Sequence, residues 1–392
     1  MANSIIKNYI YNSGLLIFNL FFPFITMTYV NRIFSLEIIG EISLALSIIS
    51  IFITLSSLGI FNCAMREVAQ NRRDKDKLKK IFSKYLFLNI IGVVFFSIIY
   101  LVVIFFYLNQ NRSIYIILYL NLFMSPYLLE WFFTGLEEYK YITQRSIFTK
   151  IISFIFMMLL VKNEEDINLY LIFLVLGSSL NGVFNIYKVR KYLIKIRMNF
   201  FYEILELKYF YLQNIMGIFY SGCEQIILGL NSNLDQIAYY SRSKSILSIP
   251  RMVILSLTKT LIPRINNNIQ DPQKYKELIT LSFDYLILLI CPCIIGINFF
   301  SENILYVIGG EKFIPAKNIL RVSSILLLVV SLAVFLDSNI SIPNRKEKNT
   351  LYGNIGVMLV TTLCVLVLSK KYGGIGTAIS VVIGESIGVI IQ

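Results

Sequence analysis

Leu36-Glu-Ile-Ile-Gly40-Glu-Ile-Ser43-Leu-Ala-Leu-Ser47-Ile-Ile-Ser50-Ile51 opens a segment, 36–66, whose counterpart lies 198 residues further along the chain. Laid without a gap over 234–264, Leu36, Ile39, Ser43, Ser47, Ile48, Ser50, Ile51 and Arg66 fall on Leu234, Ile237, Ser241, Ser245, Ile246, Ser248, Ile249 and Arg264. Glu37 falls on Asp235, and Gly40 on Ala238. Ile, Leu and Ser are common in this chain, so the weight rests on where the shift lands. It carries the second apolar stretch onto the eighth, as two six-helix halves of the same orientation require. An even number of spans per half makes such repeats parallel, related by an axis along the membrane normal. The expectation is therefore an all-α, polytopic membrane protein. It has about twelve transmembrane helices in two six-helix lobes, 1–200 and 201–392, around a central cavity.

The composition supports a membrane solvent. Of 392 residues, 56% are hydrophobic and 15% charged, against roughly 45–50% and about 25% in soluble domains. A spanning helix needs about 20 mostly apolar residues. Twelve stretches satisfy that, near 8–30, 38–61, 85–108, 113–136, 145–161, 167–187, 209–230, 239–261, 278–300, 317–340, 350–368 and 374–391. The first is longer than a signal-peptide core and is followed by no small-residue cleavage pattern, so it reads as a retained span. The intervals between spans are too short to hold a folded extramembrane domain.

Several chemistries are excluded. There is no His, which removes imidazole acid–base catalysis, His metal ligation and His triads. The five Cys show no CxxC spacing, and Cys291-Pro-Cys293 lies in an apolar run, so they read as packing residues. No cofactor is expected. No GxxxxGK[ST] loop is present, so energy would come from an ion gradient (proton or sodium), the membrane potential or consumption of cargo outside. A membrane polymerase or glycosyltransferase needs carboxylates beside its substrate, and the short external intervals carry no such cluster. Asn163-Glu-Glu-Asp166 reads as a solvated loop.

The net charge of +13 is distributed by loop. The 2–3 interval holds Arg66, Arg72, Arg73, Lys75, Lys77, Lys79, Lys80 and Lys84, and the 6–7 interval Lys188, Arg190, Lys191, Lys195, Arg197 and Lys208. With Lys7, Lys140, Arg145, Arg264, Lys274, Lys276, Arg345, Lys346 and Lys348, one side carries 23 basic residues and the other nine. By the positive-inside rule the N-terminus is cytoplasmic. The basic loops lie on anionic headgroups, and nucleic acid is not an expected partner.

Ionisable residues inside spans face a cavity or a partner by default. Lys244, Arg251 and Lys259 stand seven and eight residues apart, on one face of the eighth span. Such a stripe would line a wet cavity selective for an anion such as phosphate or pyrophosphate. Equal depth pairs Glu130 with Lys150 and Asp337 with Lys259, which would lower the cost of burying each. Glu224, nearer the outer side, has no evident partner and is a candidate for a coupling cation or for a hydrogen bond to Ser or Asn.

At this point the chain resembles a known family. Arg32-Ile-Phe-Ser-Leu-Glu37-Ile-Ile-Gly40, Arg66-Glu67 and Glu130-Trp131-Phe-Phe-Thr-Gly135-Leu-Glu137 are similar to positions in the Wzx-type O-antigen and capsule repeat-unit flippases. These belong to the multidrug/oligosaccharidyl-lipid/polysaccharide exporter superfamily. So are Leu234-Asp-Gln-Ile-Ala-Tyr-Tyr-Ser241 and Leu261-Ile-Pro-Arg264. The resemblance covers essentially the whole chain and implies a two-lobed, twelve-helix exporter of the bacterial plasma (inner) membrane. Its implied cargo is undecaprenyl-pyrophosphate-linked oligosaccharide, moved from inner to outer leaflet by alternating access. It further implies a polysaccharide polymerase and a chain-length regulator as partners, and Arg32, Arg251 and Lys259 as contacts to diphosphate or acidic sugar. The departure is at the C-terminus, where the last span runs to Gln392 with no basic tail. The alternative within the same fold is a small-molecule or multidrug exporter, which the basic stripe disfavours for cationic cargo.

Overall fold

A chain this apolar can satisfy its backbone in lipid only within helices or a closed barrel, and every regular element here is helical. The computed structural model describes residues 2–107, 111–195, 200–344 and 346–392, without the side chains of residues 2–6, 9, 107, 200–202, 219–221, 257–260, 263 and 347. No strand occurs among the described residues. The chain divides into two compact units, one comprising residues 1–26 and 45–218, the other 27–44 and 219–392.

The first unit holds most of α1 (Ala2–Ile33) and the second half of α2 (Leu36–Ser56), followed by α3 (Ile60–Gln70) and α4 (Lys75–Tyr107). It continues through α5 (Arg112–Met124), α6 (Glu130–Gly135), α7 (Tyr139–Leu160) and α8 (Ile167–Val189), and most of α9 (Phe200–Ser221). α3 is the amphipathic element of the basic 2–3 interval. Its buried residues Ile60, Cys63, Ala64 and Val68 recur at helical spacing. They join a core in which Phe82, Tyr85, Trp131, Phe132 and Phe133 are almost wholly buried. Trp131 lies edge-on to Tyr85, with ring centres 5.9 Å apart. The expected fourth span is interrupted: α5 ends in a tight turn at Ser125–Leu128, and Leu129 adopts φ +49° before α6 starts. In the middle of their length α7 and α8 approach through small residues, as membrane helices do. Thr149 Oγ1 donates to Asn181 Oδ1 at 3.1 Å, and Ser153 faces Gly177.

The second unit takes the end of α1 and the start of α2, with α10 (Cys223–Asn231), α11 (Leu234–Asn267), α12 (Pro272–Phe299) and α13 (Ser301–Gly309). α14 (Lys317–Leu336) runs into a π-helical turn at Asp337–Ser341, and α15 (Glu347–Ile391) closes the chain. Residues 27–44 are fastened here by close contacts. A Cβ on Gly40 would stand 2.0 Å from the Leu234 carbonyl oxygen, so the crossing of α2 and α11 requires glycine. Asn31 Nδ2 donates to Ile308 O at 3.4 Å, and Lys312 Nζ to Phe34 O at 2.5 Å.

Nine helical stretches among the described residues are long and apolar enough to cross a membrane, against the twelve expected. The difference has physical origins. The expected seventh span is broken at Gly222, between α9 and α10. The eighth, α11, carries Asp235, Arg242, Lys244, Arg251, Lys259 and Arg264 along its length, so it is not counted among the apolar stretches. The last two lie in α15, which is two helices joined at Gly373 (φ +56°, ψ −132°) and folded back on each other, so that Gly384 abuts Thr361 and Gly388 abuts Val357. That point coincides with the gap expected between 368 and 374.

Candidate functional site

In the first unit α1, α7 and α8 enclose a cavity of about 200 Å³ lined in part by Pro23, Thr26, Lys150, Ser153, Tyr170 and Ser178. Pro23 carries no N–H and so leaves the carbonyl one turn earlier, at Asn19, without its helical donor. The side chain of that same Asn19 accepts a hydrogen bond from Lys150 Nζ at 2.6 Å. Thr26 Oγ1 donates to Pro23 O at 2.8 Å. The half-buried Lys150 thus sits among neutral oxygens, and among the described residues it makes no ion pair. The expected Glu130–Lys150 bridge does not form. Glu130 is exposed in the first turn of α6, close enough to act on Lys150 and Arg145 only through its longer-range field. The left-handed Leu129 resets the helix phase, which a depth argument does not register.

A second cation in this unit, Arg145, opens the fifth apolar stretch of the sequence and counts there with the basic residues of the cytoplasmic side. Arg145 is 6% exposed, about a turn and a half inside α7. Its Nη1 donates to Asn185 Oδ1, which also accepts from the Tyr141 hydroxyl at 3.1 Å. Asn185 Nδ2 in turn donates to the Tyr127 and Leu128 carbonyls, where the turn after α5 frees them. The guanidinium lies 5.4 Å from the Tyr141 ring centre and 5.9 Å from that of Phe133, a favourable cation–π arrangement. The missed signal was Asn185, an amide placed in an apolar run on the neighbouring span.

In the second unit Lys244 does not stand free to meet a ligand. Its Nζ lies 2.5 Å from Glu224 Oε1, whose side chain is 4% exposed. Glu224, for which the sequence offered no partner, therefore has one. It also sits in the first turn of α10, where the helix dipole favours an anion. Arg251 is exposed on α11 and makes no hydrogen bond or ion pair among the described residues. The Lys259 side chain lies outside the described residues, as do Arg197 and Arg345 of the basic intervals. Asp337, expected to pair with Lys259, begins the π-helical turn and accepts from Thr350 Oγ1 at 2.6 Å. Arg32 is exposed and gives one Nη to Val307 O at 3.3 Å, leaving further donors of its fork available.

The Glu-Trp…Gly-Leu-Glu motif plays a packing part within the first unit. Trp131 is 4% exposed, Gly135 abuts Val68 of α3, and Glu137 bonds Arg72 at 2.8 Å. It locks α6 onto α3.

Together, the helical fold and the charges inside its apolar helices define a multi-pass membrane protein. The chain belongs to the polysaccharide biosynthesis protein family, whose model matches residues 5–268. It is 22% identical over 377 residues to a Shigella dysenteriae protein provisionally named as an O-antigen transporter, covering 94% of this chain and 93% of that one. A Haloferax volcanii protein provisionally named low-salt glycan biosynthesis flippase Agl15 is 21% identical over 187 residues, 47% of this chain and 39% of that one. In fold the chain matches the lipid II flippase MurJ in an inward closed conformation with a TM-score of 0.79. The identity is 14%, with 98% of this chain and 86% of MurJ covered. An inward-facing multidrug resistance MATE transporter matches at 0.70 and 13% identity, covering 96% and 92%.

Proposed function

We propose that this protein is a flippase that carries undecaprenyl-pyrophosphate-linked oligosaccharide repeat units across a bacterial inner membrane, from the cytoplasmic to the outer leaflet. The observation that carries this reading is Lys150, a cation inside an apolar helix bundle, hydrogen-bonded to an amide and, among the described residues, without a carboxylate within ion-pair distance. Holding such a charge away from water is costly, and a visiting diphosphate offsets that cost. In the second unit the exposed Arg251 and Arg32 are candidate contacts to acidic cargo in their own right, with Lys259 assigned to the same role from its place in the sequence. Transport is by alternating access, the cargo's polyprenyl tail remaining in lipid. With the cell interior negative, the membrane potential assists outward movement of an anion by about 2.3 kcal/mol per charge per 100 mV. The Glu224–Lys244 ion pair is the candidate site for coupling to a proton or sodium gradient. The positive-inside bias supports a cytoplasmic N-terminus.

The protein acts without bond-making chemistry of its own. A polymerase and a chain-length regulator would receive its product. The fold shared with a multidrug transporter supports a second reading, export of a small molecule, and Lys150 favours an anionic one. Deletion of the gene tests the assignment: lipid-linked repeat units should accumulate on the cytoplasmic face and surface polysaccharide should fall. Unchanged surface polysaccharide, in a strain with no second flippase gene, would count against it.

A further inference from the structure

In the first unit α7 and α8 line a groove of about 570 Å³ with Tyr141, Arg145, Phe148, Phe184, Tyr187 and Lys188. The lining surface is almost wholly apolar, with two cationic side chains among its residues. Arg145 is 94% buried, and its Nε has no hydrogen-bond partner among the described residues. The walls are rings left open: Phe148 is 56% exposed, Phe184 44% and Tyr187 71%. Lys188 Nζ lies 3.7 Å from the Tyr141 ring centre and bonds Glu138, while Arg190 stacks over Tyr187 at 4.6 Å. Thus cations gather where α7 begins and α8 ends, and exposed rings extend from them along both helices. Glu138 neutralises part of Lys188, and Glu130 acts on Arg145 from a distance. Among the described residues Arg145 itself has no carboxylate within ion-pair range.

We propose that this groove binds an anionic phospholipid as a structural ligand, its phosphate received by Arg145 and Lys188 and an acyl chain lying along Phe148 and Phe184. A soluble anion would satisfy the guanidinium but leave the rings uncovered, and a neutral lipid would cover the rings but not the charge. A phosphate joined to a hydrocarbon chain does both, and basic pockets between spanning helices suit such headgroups. The cargo shares that chemistry, yet the lining offers no cluster of donors and acceptors for sugar hydroxyls. In the orientation proposed above, the cationic end lies at the headgroup level of the cytoplasmic leaflet, where anionic lipids reside.

The test uses the purified full-length chain and native mass spectrometry with added phosphatidylglycerol or phosphatidylcholine of the same acyl chains. About one phosphatidylglycerol should be retained per chain, with a preference over phosphatidylcholine of about five-fold, the effect expected of one effective cation near an anionic surface. Arg145→Gln should bring that preference close to one. Because Arg145 also packs against Asn185, Lys188→Met serves as a second variant, which should weaken the preference while the lipid-free protein stays folded, its melting temperature lowered only slightly by the loss of a partly exposed ion pair. Equal retention of the two lipids by the parent chain, or parental preference in both variants, would overturn the proposal. So would displacement of phosphatidylglycerol by millimolar inorganic phosphate, which identifies a free-anion site. One-for-one displacement by undecaprenyl diphosphate would likewise overturn it, assigning the groove to the cargo. None of these outcomes depends on the flippase reading.

Discussion

Ser241 donates its hydroxyl to that of Ser43 at 3.0 Å, and these two residues stand at the same 198-residue interval that superposes 36–66 on 234–264. Both serines belong to the second unit, where α2 meets α11. One turn before Ser43 the two helices cross at Gly40, against the Leu234 carbonyl.

Gly40→Ala should therefore destabilise the protein although alanine favours helix. Its Cβ would meet a backbone oxygen that cannot rotate away, and overpacking of this kind costs about 1–3 kcal/mol. A melting curve in detergent should show a clear drop for Gly40→Ala, whereas Ala238→Gly should cost only about 1 kcal/mol of helix propensity.

Lys150→Gln should lower export on the order of tenfold, since a charge-assisted hydrogen bond to cargo phosphate is worth about 1.5–3 kcal/mol. Lys150→Arg should retain most of it. Surface polysaccharide in complemented deletion strains, at matched protein levels, is the measurement. Equal export by the Gln variant would remove Lys150 from the cargo path.

Much of this arrangement was legible in the sequence, and the limits have definite causes. Apolar runs marked the helices because lipid dictates their length, and Gly373 ended one where the hydropathy fell. Relations between charged side chains were less legible, because depth along a span leaves rotation about its axis open. Glu130 was turned outward by Leu129, a left-handed residue with no glycine to announce it. Glu224 gained Lys244 because the break at Gly222 repositions α10, and that break shows in the sequence only as one glycine among many. Arg145 was counted with the loops because it follows Lys140 closely, yet α7 already begins at Tyr139.

The Glu224–Lys244 pair is asymmetric in exposure, 4% against 41%. Glu224→Gln should thus be mild, leaving Lys244 with access to solvent. Lys244→Met should be worse, by about 1–3 kcal/mol, since it deprives a buried carboxylate of its ion pair. The double variant should recover part of that loss, as read from melting temperatures of the four proteins.

The Arg72–Glu137 bridge outside the spans gives a pH signature. The hydrogen bond and charge of Arg72 hold the Glu137 carboxyl below its ordinary value of 4.5. A depressed carboxyl contributes stability above its unfolded pKa and loses it as pH falls through the folded value. Both side chains are more than a third exposed, so the contribution is under about 1 kcal/mol. The melting difference between the parent and Glu137→Gln should be constant from pH 7 to 5 and shrink progressively at lower pH.

The central claim is transbilayer movement of a lipid-linked glycan, and proteoliposomes carrying undecaprenyl-pyrophosphate oligosaccharide test it directly. Access of a membrane-impermeant lectin to the glycan should be limited to the outer leaflet in protein-free vesicles. It should become nearly complete, on a timescale of minutes, with the parent protein, and be slowed at least tenfold by Lys150→Gln. Lectin access in vesicles containing folded parent protein that matches the protein-free control, with and without an imposed potential or ion gradient, would contradict the account.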